Sequence, residues 1–127
     1  MKTILLVEDD PFLIDIYTTK FKEEGFSVEV ANDGEEGLRK LGEGEGENEE
    51  KFDLLVLDIV LPHVDGWEIL KKIESSEKLK NLKIVILSNL GQKGEVEKGI
   101  KLGATKYLIK AHYTPSEVVK EIKEILK

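Results

Sequence analysis

Five short segments spaced along this chain, four of them apolar throughout and one alternating, restrict its fold more than any other feature. Residues 4–7, 54–57, 84–87 and 107–109 are apolar throughout, whereas apolar and polar residues alternate over 26–31. Continuous runs of this length are typical of strands buried on both faces of a parallel sheet. Between them, apolar residues recur at helical spacing. Five strands alternating with five helices predict an α/β domain with a doubly wound parallel sheet.

Residues that start a helix mark two of the predicted boundaries. Pro11 suits the first turn of the first helix. Residues 114–117 read TPSE, which combines a capping threonine, a proline at the first helical position and a glutamate at the third. This segment therefore predicts the start of the last helix.

The charge of the chain is high and unevenly distributed. Its 127 residues include 26 acidic and 19 basic side chains, which give a formal net charge of -7 at pH 7. Residues 42–51 hold five glutamates, three glycines and one lysine, so much of the excess lies in one segment that we expect to be a flexible acidic loop. Because a phosphate backbone is normally bound by a basic face, direct binding of nucleic acid is disfavoured.

Several classes of protein are disfavoured by what the sequence lacks. It has no cysteine, which excludes disulfides, thiolate metal sites and cysteine nucleophiles, and two histidines are too few for a multi-histidine metal site. No apolar run approaches the ~20 residues of a membrane span, and the amino-terminal segment is too short for a signal peptide. We therefore expect a single domain over residues 1–127, in the cytoplasm and without contact with a membrane.

Polar side chains follow four of the five predicted strands at the point where each strand ends. Because the carboxyl ends of parallel strands lie at one edge of the sheet, where doubly wound sheets bind ligands, these side chains should form one site. Any one of them alone could be a helix cap or a solvated surface residue. They are Glu8, Asp9 and Asp10 after the first strand, Asp58 after the third, Ser88 and Asn89 after the fourth, and Lys110 after the fifth.

The chemistry of this set favours phosphoryl transfer assisted by a metal ion. Carboxylates crowded into one pocket repel each other unless a cation joins them, and ligands that are all oxygen suit Mg²⁺. Asp58 is a candidate nucleophile, because carboxylates form acyl phosphates. Lys110 and the Ser88 hydroxyl can each bind a phosphoryl oxygen. Since the sequence has no glycine-rich nucleotide loop, the phosphoryl group should come from a partner or a small donor.

These motifs, in their order and spacing, resemble the receiver domain of bacterial two-component response regulators. The matching segments are residues 7–10 (VEDD), 57–66 (LDIVLPHVDG), 87–89 (LSN) and 107–110 (YLIK), and the resemblance spans essentially the whole chain. It implies a flavodoxin-like fold with strand order 2-1-3-4-5. It also implies a phosphoacceptor that catalyses only its own phosphorylation and dephosphorylation. The short tail after Leu126 favours a stand-alone receiver, although an excised domain stays open.

The resemblance implies a role for each residue of the phosphorylation site. Asp58 would take a phosphoryl group from a phosphohistidine on a histidine kinase or a histidine phosphotransfer protein. Asp9, Asp58 and the backbone carbonyl of Val60 would bind Mg²⁺, and Glu8 would support the metal through water. Lys110 would contact the phosphoryl group.

The resemblance also implies a conformational switch. Ser88 and Tyr107 fall on the switch positions, where the hydroxyl moves to the phosphoryl group and the aromatic ring turns inward. The phosphoryl group adds charge and acceptors that favour one of two packings. The affected surface, formed by the fourth helix, fifth strand and fifth helix, would bind a downstream protein whose identity the sequence does not give.

Three positions depart from the pattern of the family. Ala111 follows Lys110 where the family often has a proline after a cis peptide bond, and without proline such a bond costs ~2.5–4 kcal/mol. Asn89 replaces a commonly small residue and can narrow the mouth of the pocket or form a hydrogen bond there. Val60 cannot position an attacking water, so we expect slow self-dephosphorylation.

Two alternative functions stay open on the sequence. A phosphatase that uses Asp58 as nucleophile commonly has a second acid two residues later, and this chain has Val60 there. A pseudo-receiver adaptor would never take a phosphoryl group. It would have no need for the complete set of site residues, namely Glu8, Asp9, Asp58, Ser88 and Lys110.

Overall fold

The strands lie side by side in the order β2-β1-β3-β4-β5, all parallel, as the resemblance implied. The structure is a computed structural model that describes residues 1–45 and 52–127. Its strands are β1 (Thr3–Val7), β2 (Ser27–Ala31), β3 (Leu54–Leu57), β4 (Lys83–Ser88) and β5 (Lys106–Ile109). Its helices are α1 (Pro11–Glu23), α2 (Gly34–Glu45), α3 (Gly66–Glu74), α4 (Lys93–Lys101) and α5 (Pro115–Ile125), with a 3-10 turn at Lys110–His112 before α5.

Helices cover both faces of the sheet, which explains why the central strands are apolar throughout. Alternate side chains of a strand point to opposite faces, so both sets must be apolar when both faces are buried. Helices α2, α3 and α4 lie on one face, where Leu5 and Leu57 pack in the same core as Ile69 of α3. Helices α1 and α5 cover the other face, where Phe21 and Ile122 are fully buried.

Helix caps fix the connections that leave the strand ends. The Asp10 carboxylate accepts a hydrogen bond from the Phe12 N–H at 2.9 Å and so caps α1. The predicted start of the last helix is confirmed. The Thr114 hydroxyl accepts from the Glu117 N–H at 3.1 Å, and the Glu117 carboxylate accepts from the Thr114 N–H at 2.8 Å. This reciprocal pair is a capping box.

Helix α2 runs to Glu45, so four residues of the predicted acidic loop 42–51 are helical. Leu41 is buried in the core and holds the preceding turn of the helix against the sheet. Glutamate is also a good helix former, which offsets part of the ~1 kcal/mol that each glycine costs in a helix. Residues 46–51 lie outside the described residues.

Within the described part, no helix combines the length and apolar composition that a membrane span needs.

Candidate acidic site at the carboxyl edge of the sheet

Three carboxylates converge where β1 and β3 end side by side. Val7 and Leu57 are the last paired residues of these strands, so Glu8 and Asp58 leave the sheet next to each other. Both are buried, with 2% and 6% exposure respectively, while Asp9 is exposed. One oxygen from each of Glu8, Asp9 and Asp58 lies within 4.8 Å of the others. The expected convergence of these acids at one edge is therefore present.

Lys110 brings a cation into the same cluster from the end of β5. Its Nζ lies 2.7 Å from Asp58 Oδ2 and 2.6 Å from Glu8 Oε1. The contact with Glu8 was not predicted, because β5 and β1 are separated in the sheet by β3 and β4. The only sequence feature that could have suggested this contact is a long basic side chain among the residues that follow the strands. Three carboxylates and one ammonium still leave two negative charges uncompensated.

Burial and hydrogen bonding have opposite effects on the pKa values of Glu8, which is buried, and Lys110, which is partly buried. Burial raises the pKa of Glu8, and its bonds with Lys110 and the Asp10 N–H offset only part of that effect. Burial lowers the pKa of Lys110, but hydrogen bonds to Asp58 and Glu8 outweigh it, so this pKa is raised. Lys110 is therefore a permanent cation at the edge of the site.

Backbone N–H groups hold the remaining oxygens of the two buried acids. Glu8 Oε2 accepts from the N–H groups of Asp9 and Asp10 at 3.0 and 3.1 Å. Asp58 Oδ1 accepts from the Val60 N–H at 3.1 Å. A buried carboxylate that lost such donors would destabilise the fold by about 1–3 kcal/mol or more, since the group is charged. These bonds let the acids stay buried and fix where their oxygens point.

Gly66 allows α3 to begin directly against the segment that carries Asp58. A Cβ at this position would lie 2.7 Å from the Asp58 carbonyl oxygen and 2.7 Å from the Ile59 Cα. The Gly66 N–H donates to the Ile59 carbonyl at 2.9 Å. Because only glycine lets the backbones approach this closely, Gly66 holds the Asp58 segment in position.

The donor set of the acidic cluster fits a hard divalent cation. Its ligand atoms are carboxylate oxygens, and the two uncompensated negative charges match one divalent ion. Asp9 is exposed, so an ion bound there can keep water ligands, as Mg²⁺ prefers. Val60, whose N–H donates to Asp58, is also exposed, at 62%.

Ser88 and Tyr107 are joined to each other through the backbone of Leu90. Ser88 is fully buried at the end of β4, and its Oγ accepts from the Leu90 N–H at 3.3 Å. The Tyr107 hydroxyl donates to the Leu90 carbonyl oxygen. Burial raises the pKa of Tyr107 to about 12, so the phenol keeps the proton that it donates. Sequence reasoning missed Leu90, because its role depends only on backbone atoms.

The connection after β4 is tied to the connection after β5 by Asn89. Its Oδ1 accepts from the Ala111 N–H at 3.1 Å. Asn89 was expected either to narrow the mouth of the pocket or to form a hydrogen bond there, and the structure shows a hydrogen bond. The Lys110–Ala111 peptide bond is trans. His63 and His112, on the loops around the site, are both exposed.

Comparison with known proteins gives one consistent family. Residues 4–123 match the family model described as response regulator receiver domain. The transcriptional regulatory protein CpxR homolog of Haemophilus influenzae is 35% identical over 127 residues, which are 100% of this chain and 51% of that protein. The alkaline phosphatase synthesis transcriptional regulatory protein PhoP of Bacillus subtilis is 32% identical over 99% of this chain and 49% of that protein.

Solved structures agree in fold over nearly the whole chain. A response regulator receiver domain protein (CheY-like) from Methanospirillum hungatei superposes with a TM-score of 0.84 and 31% identity, over 99% of this chain and 94% of that one. Chemotaxis protein CheY4 of Vibrio cholerae gives a TM-score of 0.84 at 25% identity, over 98% of both chains. The chain spans about half the length of the curated relatives it matches.

Proposed function

The chain belongs to the response regulator receiver domain family, a family of signalling domains rather than classical enzymes, and we propose that its Asp58 accepts a phosphoryl group. The donor is a phosphohistidine on a histidine kinase or a histidine phosphotransfer protein. One observation carries this proposal. The Asp58 carboxylate is buried in a cluster of acids, and Lys110 binds one of its oxygens at 2.7 Å.

The transfer exchanges one bond to phosphorus for another. An oxygen of Asp58 forms the new O–P bond, and the P–N bond to the donor imidazole breaks. The imidazole leaves with the electron pair of that bond and takes up a proton from solvent. Lys110 binds a phosphoryl oxygen with its ammonium group while it keeps its 2.6 Å contact with Glu8.

Mg²⁺ would be held by the side chains of Asp9 and Asp58 and by the backbone carbonyl of Val60. Glu8, both of whose oxygens already have partners, would support the metal through water. When bound, Mg²⁺ supplies positive charge that reduces the repulsion between a carboxylate and an incoming phosphoryl group. The exposed carboxylate of Asp9 gives the ion access from solvent.

Phosphorylation would act on the rest of the molecule through Leu90. The Ser88 hydroxyl donates to a phosphoryl oxygen, and its movement changes the bond that it accepts from the Leu90 N–H. Because Tyr107 is bonded to the carbonyl of Leu90, its ring senses the same displacement. The surface of α4, β5 and α5 then binds a downstream protein with altered affinity.

The two alternatives are not favoured. A phosphatase needs an acid or base for turnover, and Val60, two residues after Asp58, offers neither. A pseudo-receiver would not require a buried nucleophile held beside a cation. The family match and the assembled acids argue for phosphorylation.

Intact-protein mass spectrometry tests the proposal directly. The metal-loaded protein is incubated with acetyl phosphate or with phosphoramidate, whose P–N bond resembles that of phosphohistidine. We expect the mass of one phosphoryl group on the wild type and on Asp15→Asn, a matched change at an exposed position of α1. Asp58→Asn and the chelator-treated wild type should gain none.

Two outcomes would contradict the proposal. No mass increase from either donor would favour the pseudo-receiver. Free phosphate released over many turnovers, without a stable mass increase, would favour the phosphatase.

A further inference from the structure

We propose that Asn89 is a positioning residue for Lys110. The Ala111 N–H donates to Asn89 Oδ1 at 3.1 Å, and this bond fixes the backbone that immediately follows Lys110. The inference rests on the proposed function, since it gives Asn89 a part in phosphoryl transfer to Asp58. Asn89 itself is exposed and acts only through Lys110.

The hydrogen bond extends the pairing of β4 and β5 beyond the sheet. Ser88 and Ile109 are the last paired residues of these strands. After this pair, the segment that follows β4 leads to α4, and the segment that follows β5 enters the 3-10 turn at Lys110–His112. The Asn89 side chain bridges the two connections just past this pair. The bridge therefore keeps Ser88 and Lys110, the two residues proposed to bind phosphoryl oxygens, in fixed positions relative to each other.

The 3-10 turn needs an external partner to hold its position. A turn of three residues is short, its internal hydrogen bonds are poorly aligned, and its first N–H groups have no acceptor inside it. The Tyr113 N–H closes the turn on the Lys110 carbonyl at 3.3 Å. Asn89 supplies an acceptor to the Ala111 N–H at the other end of the turn.

Lys110 is sensitive to this anchoring because its side chain is long and its task is geometric. Its Nζ makes contacts of 2.6 and 2.7 Å with two different carboxylates. Small displacements of a charge that stabilises a transition state reduce the rate of the chemical step, whereas donor binding changes little. Loss of the Asn89 bond should therefore lower the maximal rate of phosphorylation by about threefold to tenfold.

Two variants with the same number of side-chain heavy atoms as asparagine separate the effect of the hydrogen bond from that of side-chain bulk. Asn89→Leu removes the acceptor, and Asn89→Asp keeps it. Asn32→Leu is the matched control, because this exposed amide follows β2 and has no side-chain hydrogen bond among the described residues. Measurements at 1 M salt, where the Debye length is about 3 Å, suppress the effect of the charge that the aspartate adds.

Two readouts are needed. The first is the rate of phosphorylation as a function of phosphoramidate concentration, followed by intact mass. The second is the ¹⁵N NMR signal of the Lys110 ammonium in the metal-free protein, which reports the position of this group without any transfer. We expect Asn89→Leu to lower the maximal rate while the half-saturating concentration stays within about twofold, and to shift or broaden the Lys110 signal. Asn89→Asp, which keeps the acceptor, should retain the maximal rate and the Lys110 signal of the wild type. Asn32→Leu should also leave the rate and the signal unchanged.

The inference fails if the Lys110 signal of Asn89→Leu matches the wild type, even where the rate falls. It also fails if Asn89→Asp lowers the rate as Asn89→Leu does, or if Asn32→Leu has the same effect as Asn89→Leu. Should the wild type take no phosphoryl group, the proposed function fails instead. The NMR comparison of the three variants then decides the positioning role by itself.

Discussion

The Asp58 carboxylate has a different kind of partner on each of its two oxygens. Lys110 binds Oδ2 with a charged donor, and the Val60 N–H binds Oδ1 with a neutral one. The first partner compensates the charge of a buried acid, and the second fixes its orientation. Burial is thus compatible with the nucleophilic role proposed for Asp58, because neither partner removes the lone pairs that remain on the oxygens.

The residue two positions after Asp58 should control how long the phosphoryl group persists. Val60 is 62% exposed and its side chain is apolar, so it cannot hold an attacking water. We expect Val60→Asn, whose amide can hold one, to shorten the lifetime of phosphorylated Asp58 by about threefold to tenfold, or ~0.7–1.4 kcal/mol in the barrier. Loss of the phosphoryl mass is followed after the donor is removed.

The matched control is Val60→Ile, which stays apolar and should leave the lifetime unchanged. A fast loss in the wild type that Val60→Asn does not accelerate would contradict the role given to this position.

Helix α4 packs on β5 at a glycine, and this close approach gives the Tyr107 ring its place. A Cβ at Gly99 would lie 2.6 Å from Ile86 Cδ1 and 2.8 Å from Tyr107 Cδ2. We expect Gly99→Ala to lower the free energy of unfolding by about 1–3 kcal/mol, because the buried Ile86 and the partly buried Tyr107 must both move. Urea unfolding is followed by the fluorescence of Trp67, the single tryptophan.

Gly94, in the same helix, is the matched control. A Cβ there meets nothing within 4 Å, so Gly94→Ala should raise stability by up to ~1 kcal/mol. Equal effects of the two substitutions would show that helix propensity, rather than the contact with Tyr107, decides the result at Gly99.

The capping box of α5 makes part of its stability depend on pH. The hydrogen bonds with the Thr114 N–H and hydroxyl group lower the pKa of the Glu117 carboxyl. A lowered pKa in the folded state means that the contribution of the carboxylate is complete above the unfolded value, about 4.3 for glutamate, and is lost as the pH falls through the folded value. Glu117→Gln should therefore be less stable than the wild type at neutral pH and equal to it in strong acid.

Urea unfolding at a series of pH values measures this difference. Glu35→Gln is the control, since Glu35 lies in the first turn of α2 but caps no helix among the described residues. It removes the same negative charge near the start of a helix, where no capping box is lost. A difference between Glu117→Gln and wild type that persists in acid would rule out the charge as its source.

At the scale of the whole molecule, the sequence predicted where the elements lie better than how their side chains meet. The strands were predictable because burial on both faces requires runs of apolar residues, and that requirement is local in sequence. The acidic loop was predicted to begin at residue 42, whereas α2 continues to Glu45. The sequence does not show that Leu41 is anchored in the core next to this segment. Strand order came from the resemblance, since apolar runs alone do not say which strands are neighbours.

The acidic site was predictable as a set of residues but not as a set of contacts. Topology brings strand ends to one edge, which is enough to group Glu8, Asp58 and Lys110. Which oxygen meets which donor depends on rotamers and on the path of the loops across the sheet. The contact between Lys110 and Glu8, and that between Asn89 and Ala111, join positions far apart in sequence and follow from no pattern in it.

The excess negative charge of the acidic site should couple metal binding to the stability of the whole domain. The three carboxylates come together only when β1 and β3 pair, so the site does not exist in the unfolded chain. An ion that binds only the folded state stabilises it by about 2.7 kcal/mol at a concentration one hundred times its dissociation constant. We expect Mg²⁺ to raise the urea midpoint of the wild type by a corresponding amount, and chelation to reverse it.

Asp9→Asn distinguishes this coupling from a general effect of salt. It removes a proposed ligand at an exposed position, so the variant should fold normally and lose most of the stabilisation by Mg²⁺. Asp15→Asn has the same change of charge on α1 and should respond like the wild type. Sodium chloride at equal ionic strength screens surface charges without entering the site, and should reproduce little of the effect. Equal stabilisation of Asp9→Asn and wild type would mean that Mg²⁺ binds elsewhere, and the metal ligands proposed here would be wrong.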